Sequence, residues 1–161
     1  MAAPAADWQS LLADGDARAA WTALPTAERS RIVASGSAEE LMRLADAARL
    51  SGHPGDAARA LDALLARYPT HGSAPVAAFT LGRLSLDRLG NAARAASAFE
   101  RALSLGIGRG LREDAMARLV EAHARAGNTS AARAAAARYR ATFPEGRRRA
   151  IVDRWSPASA P

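Results

Sequence analysis

The sequence predicts an all-α fold, an array of helix pairs. A turn glycine recurs at Gly52, Gly90 and Gly127, 38 and 37 residues apart, with a similar apolar pattern around it each time. Alanine supplies 44 of the 161 residues and aromatic residues only 5%, so the core depends on close helix approach rather than on bulky side chains. A fixed period of this length is typical of solenoids, which mainly present a surface to another molecule.

The first helix pair is predicted at 37–51 and 54–67, within a repeat at about 37–70. Its facing apolar stripes are Leu41, Leu44, Ala45 and Ala48 before Gly52, and Ala57, Leu61 and Leu64 after it. Glycine accepts the positive φ that ends the first helix of a pair. Pro69 then stops the second helix, because the residue before a proline is pushed out of the α region.

Two further pairs follow, at 74–89 with 92–104 and at 110–126 with 129–142. They belong to repeats at about 74–107 and 110–144. In the middle pair the dipeptide Leu81-Gly82 lies one residue further upstream of its turn glycine than the equivalent residues do in the other repeats. This offset predicts one extra residue in the middle turn.

The two ends of the array are less regular. Residues 7–34, with Trp8 and Trp21, are predicted as a degenerate N-terminal repeat, and 146–154 as a capping helix. We therefore expect a single domain over 7–155. The small-residue, Pro-containing ends at 1–6 and 156–161 are predicted to be disordered.

These residues resemble the tetratricopeptide repeat family, whose signature pairs Leu-Gly or Leu-Ala in the first helix with Ala, a large apolar residue, Ala and Pro in the second. The best matches are Leu44-Ala45, Leu81-Gly82, Gly90, Ala95, Phe99 and Ala102. The resemblance implies a right-handed superhelix of helix pairs that binds other proteins and is not an enzyme.

The period of 37 to 38 residues is similar to the long-helix variant of bacterial envelope proteins associated with Tol-Pal and outer-membrane assembly. Residues 8–24, 44–50 and 74–82 look like the repeat region of FecR-like regulators. This resemblance implies the periplasm or cell envelope if the chain is part of a larger protein. Met1 to Asp7 carries no export signal, so the chain as written is otherwise expected to be cytoplasmic.

Composition and spacing argue against several classes of chemistry. The chain has no Cys, and its three His residues do not share the i, i+4 spacing that would direct two rings at one metal ion. Gly106-Ile-Gly-Arg-Gly110 has neither the preceding strand nor the Gly-Lys-Ser/Thr of a phosphate-binding loop. We therefore predict no catalytic residue, no metal site and no cofactor, and the sequence has no apolar run long enough to span a membrane.

The positive charge is concentrated in the last third of the chain. Residues 1–107 carry 11 Arg and 11 acidic residues, whereas residues 108–161 carry 11 Arg and 5 acidic residues. One interpretation is a docking surface for nucleic acid or another anionic surface, formed by a basic patch of Arg138, Arg140, Arg147, Arg148 and Arg149. Self-association through an exposed end of the array is a further alternative.

The resemblance favours a different function, the binding of a partner segment in a groove lined by the first helices. The groove residues it implies are Met42, Asp46, Arg49, Phe79, Arg83, Leu86, Asp114, Glu121 and Arg125. They combine apolar anchors with charges of both signs, which suits an extended or helical segment of another protein.

Overall fold

A computed structural model describes residues 7–157, and over that range the chain forms ten α-helices and no strand. The helices are α1 (Trp8–Ala13), α2 (Ala17–Ala23), α3 (Thr26–Ser35), α4 (Ala38–Leu50), α5 (Pro54–Arg67), α6 (Ala74–Asp87), α7 (Ala92–Ser104), α8 (Arg109–Arg125), α9 (Thr129–Thr142) and α10 (Arg149–Trp155). Of the ends predicted to be disordered, 1–6 and 156–161, residues 1–6 and 158–161 lie outside the described residues. Contacts divide the described part of the chain into two compact units, with the boundary between Ser73 and Ala74, and the predicted single domain over 7–155 stays a prediction.

The first unit is centred on the antiparallel pair α4 and α5. The α4 helix begins at a capping box, in which the Ser37 hydroxyl accepts from the Glu40 N–H and the Glu40 carboxylate accepts from the Ser37 N–H. It ends before Gly52, whose φ of 88° is the positive value expected for the turn glycine. Helix α2 packs on α1 and α4, and α3 packs on both α4 and α5, so the predicted degenerate repeat is three short helices.

Two arginines attach these short helices to the pair. The Arg29 guanidinium lies 3.8 Å from the centre of the Trp21 ring, and His53 stacks on the same indole at 4.6 Å. The Arg67 guanidinium donates to the last carbonyls of α3, including Val33 O at 2.7 Å and Ala34 O. Arg67 thus hydrogen-bonds to the carbonyl groups at the end of α3. At helix ends that have a glycine in the left-handed conformation, backbone N–H groups satisfy such carbonyls.

The second unit contains the pairs α6–α7 and α8–α9. Helix α7 also packs against α8, and α10 packs on α8 and α9. Asn91 and Asn128 cap the second helix of each pair by accepting from the Arg94 and Ala131 N–H groups. The α6–α7 turn spans four residues, 88–91, whereas the α4–α5 and α8–α9 turns span three, which confirms the predicted extra residue.

The last helix begins three residues later than predicted. Residues 144–148 form a turn, and at its end the Arg148 N–H donates to Glu113 Oε1 at 2.9 Å. At the other end Ser156 is buried, and its carbonyl accepts a hydrogen bond from Arg140 at 2.5 Å. The packed part of the chain therefore extends one residue beyond the predicted end at 155.

Candidate partner-binding surface

In the first unit the predicted groove residues share one stripe of α4. Met42, Asp46 and Arg49 follow one another at helical spacing, and all three are at least partly exposed. The Arg49 guanidinium pairs with the Asp46 carboxylate at 2.8 Å, with 38% of each side chain exposed. This stripe presents an apolar group beside an ion pair to its surroundings.

In the second unit the two predicted apolar anchors are buried. Phe79 is 4% exposed and Leu86 is 1% exposed. The Phe79 ring meets the edge of Phe99 on α7, with ring centres 5.8 Å apart. Both residues therefore belong to the core, and their prediction as groove residues is corrected.

On α6 the exposed or partly exposed positions include Thr80 and Asp87, each one residue after the buried Phe79 and Leu86. We call the row to which they belong the outer row of α6. Val76, Thr80, Arg83 and Asp87 recur at i, i+4, i+7 and i+11, and each of them is exposed or partly exposed. Arg83 is the one predicted groove residue of α6 that lies in this row. Among residues 7–157 its guanidinium has no ion-pair partner.

Helix α8 carries a second row, of Asp114, Arg118, Glu121 and Arg125, at the same spacing. Glu121 is 8% exposed, and it receives Arg118 at 2.6 Å and Arg125 at 3.3 Å. Arg118 also pairs with Asp87 of α6, so this ion network joins the two helices. Most of the Glu121 carboxylate is consequently occupied by intramolecular partners.

Arg118 and Asp87 were not predicted as site residues. Arg118 lies four residues after Asp114 and three before Glu121, a spacing that places all three on one helix face. That spacing was visible in the sequence. The pairing of Arg118 with Asp87 was not visible in the sequence, because 31 residues separate the two partners.

We call the two rows together the charged face. It comprises Val76, Thr80, Arg83, Asp87, Asp114, Arg118, Glu121 and Arg125. The face contains three acidic and three basic side chains, and Val76, which is 40% exposed, is its apolar member. Five of its six charged side chains are paired within the chain, which leaves Arg83 as the charged member with free capacity to bind a partner.

The predicted basic patch is largely paired within the chain. Arg140 contacts Asp153 at 2.7 Å, Arg148 contacts Asp114 at 3.0 Å, and Arg149 contacts Asp153 at 3.6 Å. Arg147 lies 4.0 Å from Glu113, and Arg138 has no ion-pair partner in the described part of the chain. These acids compete with any external phosphate for the same guanidinium groups, which argues against a continuous phosphate-binding stripe.

Within residues 7–157 no three His, Asp or Glu side chains are grouped to hold a metal ion. His123 is largely buried, and its Nε2 lies 3.2 Å from Glu100 Oε1. None of the described helices combines the length and the apolar character needed to cross a membrane.

Comparisons with known proteins agree with this architecture. Residues 41–71, which cover most of α4 and all of α5, match the model of the tetratricopeptide repeat family. A solved structure titled "Crystal structure of MamA" is similar to the chain with a TM-score of 0.63 at 18% sequence identity, covering 92% of this chain and 89% of that one. A search of the curated proteins finds no match.

These findings confirm the predicted fold class, an all-α tetratricopeptide-like arrangement of helix pairs. Repeats of this family typically bind other proteins, and the fold is generally a scaffold rather than an enzyme. The finer resemblance to FecR-associated and Tol-Pal-associated repeats stays a prediction.

Proposed function

We propose that this protein is a non-enzymatic scaffold that binds a segment of a partner protein on the charged face. The observation that carries the proposal is the network in which Arg118 joins Asp87 on α6 to Glu121 on α8. It links the outer rows of two successive first helices and holds their polar groups in fixed positions. The partly exposed α4 stripe offers a similar combination of residues in the first unit.

Fixed side chains reduce the entropy that a binding surface loses when a partner is ordered on it. In the charged face, Glu121 accepts from two arginines, so its carboxylate and both guanidinium groups have restricted freedom. Only the partner segment then has to be ordered. This is an energetic advantage for binding an extended peptide.

Among the charged residues of the charged face, Arg83 is the one best able to bind a partner. Its side chain is exposed on α6, between Thr80 and Asp87 along the same row. A guanidinium without an internal acceptor can donate two parallel hydrogen bonds to a carboxylate or to backbone carbonyls of a bound segment.

The sequence resemblance supports a role in cell-envelope assembly or signalling. Fractionation of native cells, with the protein followed by antibody, tests this part of the proposal. Recovery in the envelope or periplasmic fraction would support it, and recovery in the cytoplasm alone would contradict it.

Site-specific photocrosslinking tests the surface itself. A photoreactive amino acid is placed at Thr80 on the charged face in one variant, and at Ser97, exposed on α7, in a control variant. After irradiation in native cells, we expect a discrete crosslinked protein from position 80 that is absent from position 97. Arg83→Glu, added to the position 80 variant, should abolish that product.

Equal crosslinking from both positions, or a product unaffected by Arg83→Glu, would refute binding on the charged face. The same experiment addresses the basic-patch alternative. A product that disappears on nuclease treatment would point to nucleic acid instead.

A further inference from the structure

The second unit contains a cleft that is separate from the charged face. It has a volume of about 400 Å³ and lies where α7 and α9 flank α8. Leu103 and Met116 supply its apolar part, and Arg112 and Arg138 supply positive charge. The remaining lining residues are Glu100, Ser104 and Thr142.

The two arginines of the cleft differ from most arginines near the C-terminus. Arg140, Arg148 and Arg149 are paired with acids of this chain. Arg112 and Arg138 are exposed, and neither has an ion-pair partner among residues 7–157. Glu100, the acid in the cleft lining, is directed to His123. Arg112 and Arg138 border one cleft and pair with no acid of the described residues, so they form a favourable site for an external carboxylate.

The cleft and the charged face lie on opposite sides of α8. Met116 and Arg112 are four residues apart and share one side of the helix. Asp114, Arg118 and Glu121 are turned about 120–180° away from Arg112, because each residue rotates the helix by roughly 100°. A ligand in the cleft therefore leaves the charged face accessible.

The geometry points to a second binding site, in which this cleft receives an acidic side chain and a neighbouring apolar side chain of a partner protein. The carboxylate would be held by Arg112 and Arg138, and the apolar group would cover Met116 and Leu103. The volume is near the lower end of the range of about 300–1,000 Å³ found for ligand pockets, which suits a few side chains.

Charge favours an acidic protein segment over nucleic acid. Arg112, Arg138 and Glu100 give the lining one net positive charge, which matches a single carboxylate rather than a continuous row of phosphates, and the buried Met116 gives no partner to a phosphate group. A single carboxylate with an apolar neighbour satisfies both parts of the cleft. The Ser104 and Thr142 hydroxyls already donate to the Arg101 and Arg138 carbonyls, so the two guanidinium groups are the side-chain donors left for a carboxylate.

The test uses random short peptides displayed on phage and selected against the full-length protein. Recovered peptides are synthesised with a fluorescent label, each with a twin in which Gln and Asn replace Glu and Asp. Affinity is measured by anisotropy for the parent, for Arg112→Gln/Arg138→Gln, and for Arg88→Gln/Arg133→Gln. The last variant is the control: it removes as much positive charge as the cleft variant does, but from exposed arginines outside the cleft.

We expect the recovered peptides to place Asp or Glu next to an apolar residue. The Arg112/Arg138 variant should bind at least roughly tenfold to a hundredfold more weakly, the usual worth of one hydrogen bond to a charged group. The Arg88/Arg133 variant and Arg83→Glu should bind as the parent does. The Arg83→Glu comparison also separates this site from the proposed function of the charged face.

Three results would overturn the proposal. The first is a selection that recovers no acidic peptide. The second is an acidic peptide whose affinity is unchanged in the Arg112/Arg138 variant. The third is complete displacement of the peptide by inorganic phosphate or by a thymidine oligonucleotide, which would make the cleft a phosphate site.

Discussion

The Tyr139 hydroxyl donates a hydrogen bond to Glu113 Oε1 at 2.9 Å, and the same oxygen accepts the Arg148 N–H at 2.9 Å. One carboxylate oxygen thus joins α8, α9 and the turn that precedes α10. The Tyr139 side chain is fully buried, and burial together with Glu113 raises its pKa to about 12. This junction holds the last helix on the second unit.

We predict that Tyr139→Phe lowers the free energy of unfolding by about 1.5–3 kcal/mol, because it removes a buried hydrogen bond to a charged acceptor. Tyr68→Phe is the matched control. The Tyr68 hydroxyl donates at 3.0 Å to the uncharged Gly36 carbonyl, so its loss should cost only about 0.5–1.5 kcal/mol. Urea unfolding followed by far-UV circular dichroism measures both. A smaller loss at Tyr139 than at Tyr68 would contradict this account of the junction.

Acid should weaken the same junction. Hydrogen bonds from the Arg148 N–H and the Tyr139 hydroxyl hold the pKa of Glu113 below its ordinary value of 4.5. Since the carboxylate has the lower pKa in the folded state, its stabilisation is complete above pH 4.5. It is lost as the pH falls below that value, through the folded pKa.

Glu113→Gln should therefore destabilise the protein at neutral pH, and the difference from the parent should shrink as the pH falls below 4.5. Urea midpoints across a pH series measure this difference. Glu145→Gln, which removes an exposed carboxyl from the same turn, serves as the control. A parent-to-variant difference that is constant with pH would show that Glu113 does not act through its charge.

Gly82 is expected to be intolerant of a methyl group, although it lies inside a helix. Alanine in place of a mid-helix glycine ordinarily stabilises by about 1 kcal/mol. A Cβ at position 82, however, would lie 2.7 Å from the Phe99 ring. The clash outweighs the helix propensity, so we predict that Gly82→Ala costs about 1–3 kcal/mol.

Two further variants make the Gly82 prediction specific. Phe99→Leu should reduce the cost of Gly82→Ala, since the smaller side chain vacates the space, and a double-mutant cycle measures that coupling. Gly110→Ala, in the first turn of α8, meets no atom within 4 Å and should be neutral or stabilising. Equal thermal midpoints for Gly82→Ala and the parent would show that the α6–α7 approach is not this close.

Arg118 is predicted to stabilise the charged face through Glu121. Only 17% of the Arg118 side chain and 10% of the Glu121 side chain are exposed. Arg118→Gln leaves the Glu121 charge with Arg125 alone, and we expect a loss of about 2 kcal/mol in urea unfolding. Arg118→Met/Glu121→Met should recover most of it, because both charges are then absent.

The control for Arg118 is the exposed pair of Arg59 and Asp56, which are 3.4 Å apart. Arg59→Gln should change the free energy of unfolding by less than about 0.5 kcal/mol, because water screens an exposed pair. A similar effect of Arg59→Gln and Arg118→Gln would mean that burial does not strengthen the network.

Because Phe79 is buried, substitution of this residue is not a suitable test of binding on the charged face. Phe79→Ala would remove a core ring at a cost of about 3–5 kcal/mol, so lost binding by that variant would report unfolding. Arg83→Glu changes an exposed side chain and leaves the core intact. A circular dichroism spectrum that matches the parent's would verify this.

The sequence by itself determined the helix pairs, because their signals are local. A glycine that can adopt a positive φ ends the first helix of each pair, a proline follows the second helix in two of the three pairs, and both act within a few residues. The extra residue of the middle turn was visible for the same reason. Helix bounds of the three pairs were consequently predicted to within two residues.

Only the tertiary structure decided which sides of those helices are exposed and which charges are free. Positions 42 and 79 are equivalent in the repeat, yet Met42 is partly exposed while Phe79 packs on Phe99. Likewise, the acids that pair with Arg140 and Arg148 lie 13 and 34 residues away along the chain. Burial and ion pairing depend on which helix becomes a neighbour, and the spacing of residues within one repeat carries no information about that neighbour.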